Sequence, residues 1–187
     1  MVQFTRSFFS LCLIAASFAA PAKRTVAQVE ADIANISNQV GALDNAIKGL
    51  PDSGLVGALA IPTEMELLGT SLNTGTSDMK ATGLLDETDA TTILSAVKVI
   101  VPIINAALQH LTAQASNLVN NLLGLAEIRA SVDSALQKLQ NSTDTFVATL
   151  AAAAPVDLTA EAISIQIAID AAFNETIAAL SEIPVRL

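Results

Sequence analysis

The 187-residue sequence holds one cysteine, one histidine and six phenylalanines, and neither tryptophan nor tyrosine. A lone thiol forms no intrachain disulfide, and this one, Cys12, stands within the first twenty residues. One imidazole, His110, builds neither an ordinary zinc site nor a Ser-His relay by itself, and it reads as a helix-surface residue. Positive charge is scarce: nine Lys and Arg oppose eighteen Asp and Glu, a net charge of −9. That balance argues against nucleic acid as a partner, since a phosphate backbone demands a basic face and usually stacking aromatics. The same deficit disfavours an anionic membrane surface. P-loop, G-x-G-x-x-G, G-x-S-x-G and metal-spaced Cys/His patterns are all missing, so no enzyme and no cofactor is expected. The carboxylate pairs Glu64/Glu66 and Asp86/Asp89 read as a solvated face and a helix start, and nothing places two acids in one polar cleft.

What is present begins with a leader. Arg6 in a short basic stretch, an apolar run from Phe8 to Ala16, and Ser17-Phe18-Ala19 as a small-x-small site together read as a secretory signal over residues 1–20. The run is shorter than the roughly 20 apolar residues of a membrane span. Lys23-Arg24 then offers either a dibasic processing site in a short propeptide, 21–24, or two solvated charges on a frayed end. Loss of residues 1–24 would remove Cys12, three basic residues and four of the six phenylalanines, leaving six basic residues against all eighteen acids. The mature domain is expected over 25–183, in an oxidising compartment without a disulfide.

Thr25 to Leu50 is the clearest helix. Val26, Val29, Ile33, Ile36, Val40, Leu43, Ile47 and Leu50 alternate three and four apart, one apolar seam. Thr25 with Gln28 predicts a capping box, and Gly49 with Pro51 predicts a left-handed stop and a breaker. After Gly54 a second, weaker helix carries Leu55, Leu59, Met65, Leu68 and Leu72, burdened by Gly57, Gly69 and Gly75 and expected to kink at Pro62. Residues 69–78 hold one apolar residue in ten, yet a loop that long in a compact bundle is uncommon, so helix is expected there too.

A third helix should start at an Asp86 cap and run through Ile93, Val97, Ile100, Ile104, Leu108 and Leu111, bent by Pro102. Around Val99 to Ile104 it is apolar on nearly every side, although Lys98, Pro102, Asn105 and Gln109 interrupt the run and argue against a membrane span. Residues 116–124 read as an apolar connection capping one end. The fourth helix follows from about Leu125 through Ile128, Val132, Leu136, Leu139, Phe146 and Leu150. In the last stretch, Ile163-Ser-Ile-Gln-Ile-Ala-Ile169 alternates with period two like a strand, but it lies between a cap at Asp157 or Thr159 and the helical series Ile169, Phe173, Ile177, Leu180. A lone strand would have nothing to pair with, so one helix from about Leu158 to Glu182 is expected. The fold class is therefore all-α, an antiparallel five-helix bundle preceded by a cleaved signal peptide.

Three N-glycosylation sequons begin at Asn35, Asn141 and Asn174, each off the apolar seams and hence expected on the surface. The dibasic end of the leader, Gly49-Leu50-Pro51, Lys80-Ala-Thr-Gly-Leu-Leu-Asp-Glu-Thr-Asp-Ala90, the mid-helix Pro102, Ala154-Pro155 and Ile169-Asp-Ala-Ala-Phe173 resemble, in order and spacing, the fungal hydrophobic surface-binding protein A family, itself similar to the lipid-binding domains of cell-wall galactomannoproteins. The resemblance runs over about Val26 to Ile183. It implies a five-helix bundle, secretion, no catalysis, and a hydrophobic solid or a fatty acyl lipid as partner, with a secreted hydrolase or wall polysaccharide as a further one. The family brings no fixed catalytic set, so candidate binding residues come from the seams: Ile36, Val40 and Leu43; Met65, Leu68 and Leu72; Val97, Ile100, Val101, Ile104 and Leu108; Leu139 and Phe146; and Ile163, Ile167, Phe173 and Ile177. Two mechanisms stand open: a bundle that parts to lay its seams on wax or lipid, or one that stays closed around an acyl chain. Ile183-Pro-Val-Arg-Leu187 as the end of the chain counts against a covalent anchor.

Overall fold

A computed structural model describes residues 25–121 and 126–182. The predicted leader, the dibasic pair, Leu125 and Ile183 lie outside the described residues. Those described form five helices: α1 (Val26–Lys48), α2 (Leu50–Thr82), α3 (Glu87–Asn121), α4 (Ala126–Ala153) and α5 (Val156–Ser181). Among them there is no strand. Consecutive helices reverse direction, and in space they close a ring in the order α1, α2, α4, α5, α3. Asp44 meets His110, Glu66 meets Lys138, and Lys98 meets Glu161, so helices of like direction also lie side by side. Gln140 beside Asn174 and Arg129 beside Ser181 give the antiparallel register of α4 and α5.

The helix starts are built as the residue types require. Thr25 Oγ1 accepts from the Gln28 amide at 3.3 Å. The Gln28 side chain turns forward to Asp32 Oδ1, so only half of the capping box forms. Asp86 Oδ1 caps α3 by accepting from the Asp89 amide at 2.9 Å. For α5 the expected side-chain cap is absent: Pro155 is the N-cap and makes no side-chain bond, while Thr159 donates back to the Pro155 carbonyl. The helix consequently starts at Val156, two residues before the expected place.

Three boundaries differ from expectation. Gly49 is right-handed (φ −74, ψ −8), so it does not stop α1 with a left-handed turn; the break comes at Gly54 (φ 58, ψ −141), inside α2. Gly54, and not Pro62, is where α2 departs from helical geometry, because an isolated proline costs one ladder bond whereas a positive φ interrupts the spiral. Residues 116–121, expected in a connection, continue α3 to Asn121. The polar stretch 69–78 is helical, with Thr70, Thr74, Thr76 and Ser77 each donating to the carbonyl four residues back. Gly75 sits where α2 crosses its neighbours: a Cβ there would lie 3.1 Å from Phe146 and 3.5 Å from Ile36. A glycine that weakens the isolated helix thus permits its close packing.

The seams meet inside the ring as one core that includes Ile33, Ile36, Leu72, Ile93, Leu136, Leu150, Ile169 and Phe173. Each such buried side chain contributes about 1.5–3 kcal/mol. By length and composition alone α2, α3 and α5 are apolar enough to cross a membrane, so the polar interruptions in α3 do not by themselves exclude it. In the ring, their buried stripes face a shared interior.

Candidate functional site

The α-helical period sorts the seam residues into an interior and an outer surface. At the centre of the ring lies a dry cavity of about 30 Å³, lined by residues of all five helices, among them Ile36, Val40, Leu43, Met65, Leu68, Leu72, Ile104, Leu108, Leu139 and Phe173. A second void of about 20 Å³ sits beside it against Val97, Ile100 and Phe146. Ile36, Leu72, Ile104 and Thr143 border both. Thr143 is buried, and its hydroxyl donates to the Leu139 carbonyl at 2.9 Å. Sequence reasoning passed over it because a threonine looks like a gap in the α4 stripe, although it stands three residues before Phe146. Leu111, Leu136 and Ile169 were read as seam but not as binding residues, and they too line these voids.

Both voids are far below the roughly 300–1,000 Å³ of a typical ligand pocket, so a guest of any length needs the helices to separate. Val101 and Ile177 are half-buried against the core. Ile163 and Ile167 point outward, 45% and 64% exposed, as does Val99 at 66%. The period-two isoleucine series is thus divided by the helix, with Ile165 and Ile169 inside and Ile163 and Ile167 outside.

Between α3 and α5 the surface opens into a groove of about 400 Å³. Its existence follows from small residues: Ala113, Ala168, Ala171 and Ala172 leave room where larger side chains would interlock. Asn105, Gln109, Thr112, Glu175 and Thr176 supply its polar atoms, and Leu108 borders both the groove and the larger interior cavity.

Electrostatic ties join the ring at two levels. His110 Nδ1 stands 2.7 Å from Asp44 Oδ1, and Lys48 Nζ stands 2.6 Å from Asp44 Oδ2, which links α3 to α1. Burial pushes the Asp44 carboxyl up, but the hydrogen bonds and charges of Lys48 and His110 outweigh it and hold the group below the usual carboxylate range. Between α4 and α5, the Asp144 and Asp170 carboxyls lie close enough to interact, and each has a buried Oδ1 without a hydrogen-bond partner. Burial, and then the bond to Asp170 and its charge, raise Asp144 to about 6. Among the described residues no group of three or more metal-ligating side chains exists. The three sequon asparagines are exposed, Asn35 donating to Ser71 Oγ and Asn174 accepting from Gln140.

Several solved structures share this architecture. The crystal structure of AFMP4P in complex with palmitic acid is 26% identical, with a TM-score of 0.76 over 83% of this chain and 99% of that one. Ligand binding domain 1 of the Penicillium marneffei MP1 protein, complexed with arachidonic acids, is 18% identical with a TM-score of 0.73, covering 83% of this chain and 99% of that one. Domain 2 of the same protein, complexed with multiple arachidonic acids, is 17% identical with a TM-score of 0.75, over 87% of this chain and 99% of that one. No curated protein matches the sequence. The sequence pattern named hydrophobic surface binding protein A matches residues 26–152, which spans α1 to α4 and all but the last residue of the latter. With the five-helix ring, its dry centre and that match over most of its length, the chain belongs to the hydrophobic surface binding protein A family.

Proposed function

We propose that this protein is a secreted, non-enzymatic binder of single-chain lipids, which takes an acyl chain into the centre of the ring. The observation that carries this reading is the pair of adjoining apolar voids bordered in common by Ile36, Leu72, Ile104 and Thr143. They are places where apolar side chains from facing helices leave contacts unmade, so an acyl chain lodged there would gain packing partners. An acyl chain of about fifteen methylenes brings roughly 12 kcal/mol of gross burial energy, comparable with the 5–15 kcal/mol that holds a whole domain folded. Partial opening is therefore within its reach. AFMP4P with palmitic acid and the MP1 domains with arachidonic acids support the ligand class.

A second reading, adsorption to hydrophobic solids, is favoured by one observation of its own, the exposed Val99, Ile163 and Ile167. Adsorption through these outer residues does not require the ring to open, whereas uptake of a chain draws on the interior. Secretion after loss of residues 1–20, and glycan at Asn35, Asn141 and Asn174, belong to this proposal as well.

Native mass spectrometry of the protein produced without glycan, since Thr143 also completes the Asn141 sequon, tests the first reading with palmitate. Wild type should carry one or more acyl masses. Thr143→Ile, which adds apolar atoms to both voids and removes a buried hydroxyl, should bind at least several-fold more weakly while gaining about 1 kcal/mol of stability. Unaltered binding by Thr143→Ile would move the site away from the centre, and no acyl mass on wild type would leave adsorption as the function.

A further inference from the structure

Resting on the acyl-binding reading, we propose that the α3–α5 groove is the mouth of the site and seats an uncharged, hydroxyl-bearing headgroup, such as the glycerol of a monoacylglycerol, in preference to a fatty acid carboxylate.

Position comes first. The groove is separated from the interior by Leu108, whose side chain borders both spaces, so a chain passing that residue enters the ring while its head stays outside. At about 400 Å³ the groove is the size of a headgroup with the first few methylenes. Its approach is apolar: Ile163, Ile167 and Ala171 follow at intervals of four on α5, so the exposed isoleucine stripe runs into a lining residue of the groove.

Chemistry then selects the head. Thr112 Oγ1 donates to the Leu108 carbonyl at 3.1 Å, and Thr176 Oγ1 donates to the Ala172 carbonyl at 2.9 Å. Each hydroxyl has a backbone carbonyl to donate to, and Thr112 also stands 3.4 Å from Thr176 Oγ1, so the pair's protons have acceptors within the protein while an oxygen lone pair is left for an incoming donor. Asn105 Oδ1 is buried with no hydrogen-bond partner, an acceptor without a donor, although the Nδ2 of the same amide is itself a donor. Among the described residues Glu175 is the one charged side chain that lines the groove, and it also accepts only. Gln109 is exposed and its amide can turn either edge inward. The one Lys or Arg in the α3 and α5 sequences, Lys98, is engaged by Glu161, and His110 is engaged by Asp44 of α1. An ionised carboxylate is itself acceptor-only and negative, so it meets acceptors and a like charge. A hydroxyl brings the missing donor at no charge cost.

Calorimetry with 1-monolauroylglycerol and laurate at pH 7.5, below their micelle concentrations, tests this with one acyl chain under two heads. Wild type should bind the glycerol ester about tenfold or more tightly than laurate, the worth of one good hydrogen bond and one avoided repulsion. Glu175→Lys should shift that ratio toward laurate by about tenfold. Asn105→Leu should weaken the ester about fivefold and leave laurate unchanged. Equal or reversed preference in wild type, with a ratio that neither substitution moves, overturns the headgroup site and leaves the acyl reading standing. Failure of wild type to bind either lipid overturns both.

Discussion

Single residues in this ring do two opposite things with charge. Asp44 is held by Lys48 and His110 below the usual carboxylate range, so its stabilisation is present above about pH 4 and is lost as acid titrates it. Asp144 is raised to about 6 by burial and by Asp170, so its contribution is complete below about pH 4 and is lost as pH rises through 6. Stability should therefore climb as the pH falls from 7.5 to about 4.5 and decline below that. Asp144→Asn should flatten the upper limb and stabilise the neutral protein by about 1 kcal/mol, a screened part of the roughly 1.4 kcal/mol that accompanies each pKa unit. Thermal melts of the two proteins across that range check it; an unchanged slope would mean that the α4–α5 acids are not coupled. Neither partnership was legible in the sequence, since His110 is 66 positions from Asp44 and no local pattern connects Asp144 with Asp170.

At the scale of the element, periodicity carried most of the information. The three-and-four spacing of α1 fixes its inner face, and Val29, Ile33, Ile36, Val40, Leu43 and Ile47 are all buried. The isoleucine alternation of 163–169 looks like a strand in isolation, but the expected helix forms, with Ile165 and Ile169 inward and Ile163 and Ile167 outward. What could not be read was where glycine acts by conformation and where by size. Gly54 breaks α2 through a positive φ, whereas Gly75 lets Phe146 and Ile36 approach. Gly75→Ala should be close to neutral, helix propensity offsetting a tight contact, but Gly75→Leu should cost about 2 kcal/mol by overpacking. Chemical denaturation of the two variants separates these effects; equal stabilities would show that α2 yields there without strain.

For the whole molecule the acyl-binding proposal turns on which seam would part. The apolar residues nominated from sequence divide by place, most of them lining the central voids and Ile163 and Ile167 lying outside. The groove itself was invisible, because it arises from alanines on two helices that are distant in sequence. If α3 and α5 separate to admit a lipid, pinning them should prevent uptake. Thr112 and Thr176 stand with their hydroxyl oxygens 3.4 Å apart, and residues 25–182 contain no cysteine. A Thr112→Cys, Thr176→Cys double variant, oxidised, should lose at least about tenfold in acyl affinity and regain it on reduction. Full binding by the oxidised form would place the opening at another seam.

The ring order has a temporal side. Helix α5 seals the gap between α4 and α3, and it is the last of the five to leave the ribosome. In the finished ring it is the wall between α3 and α4, so a chain cut short before residue 156 would lack the plank that keeps water from the oily trough.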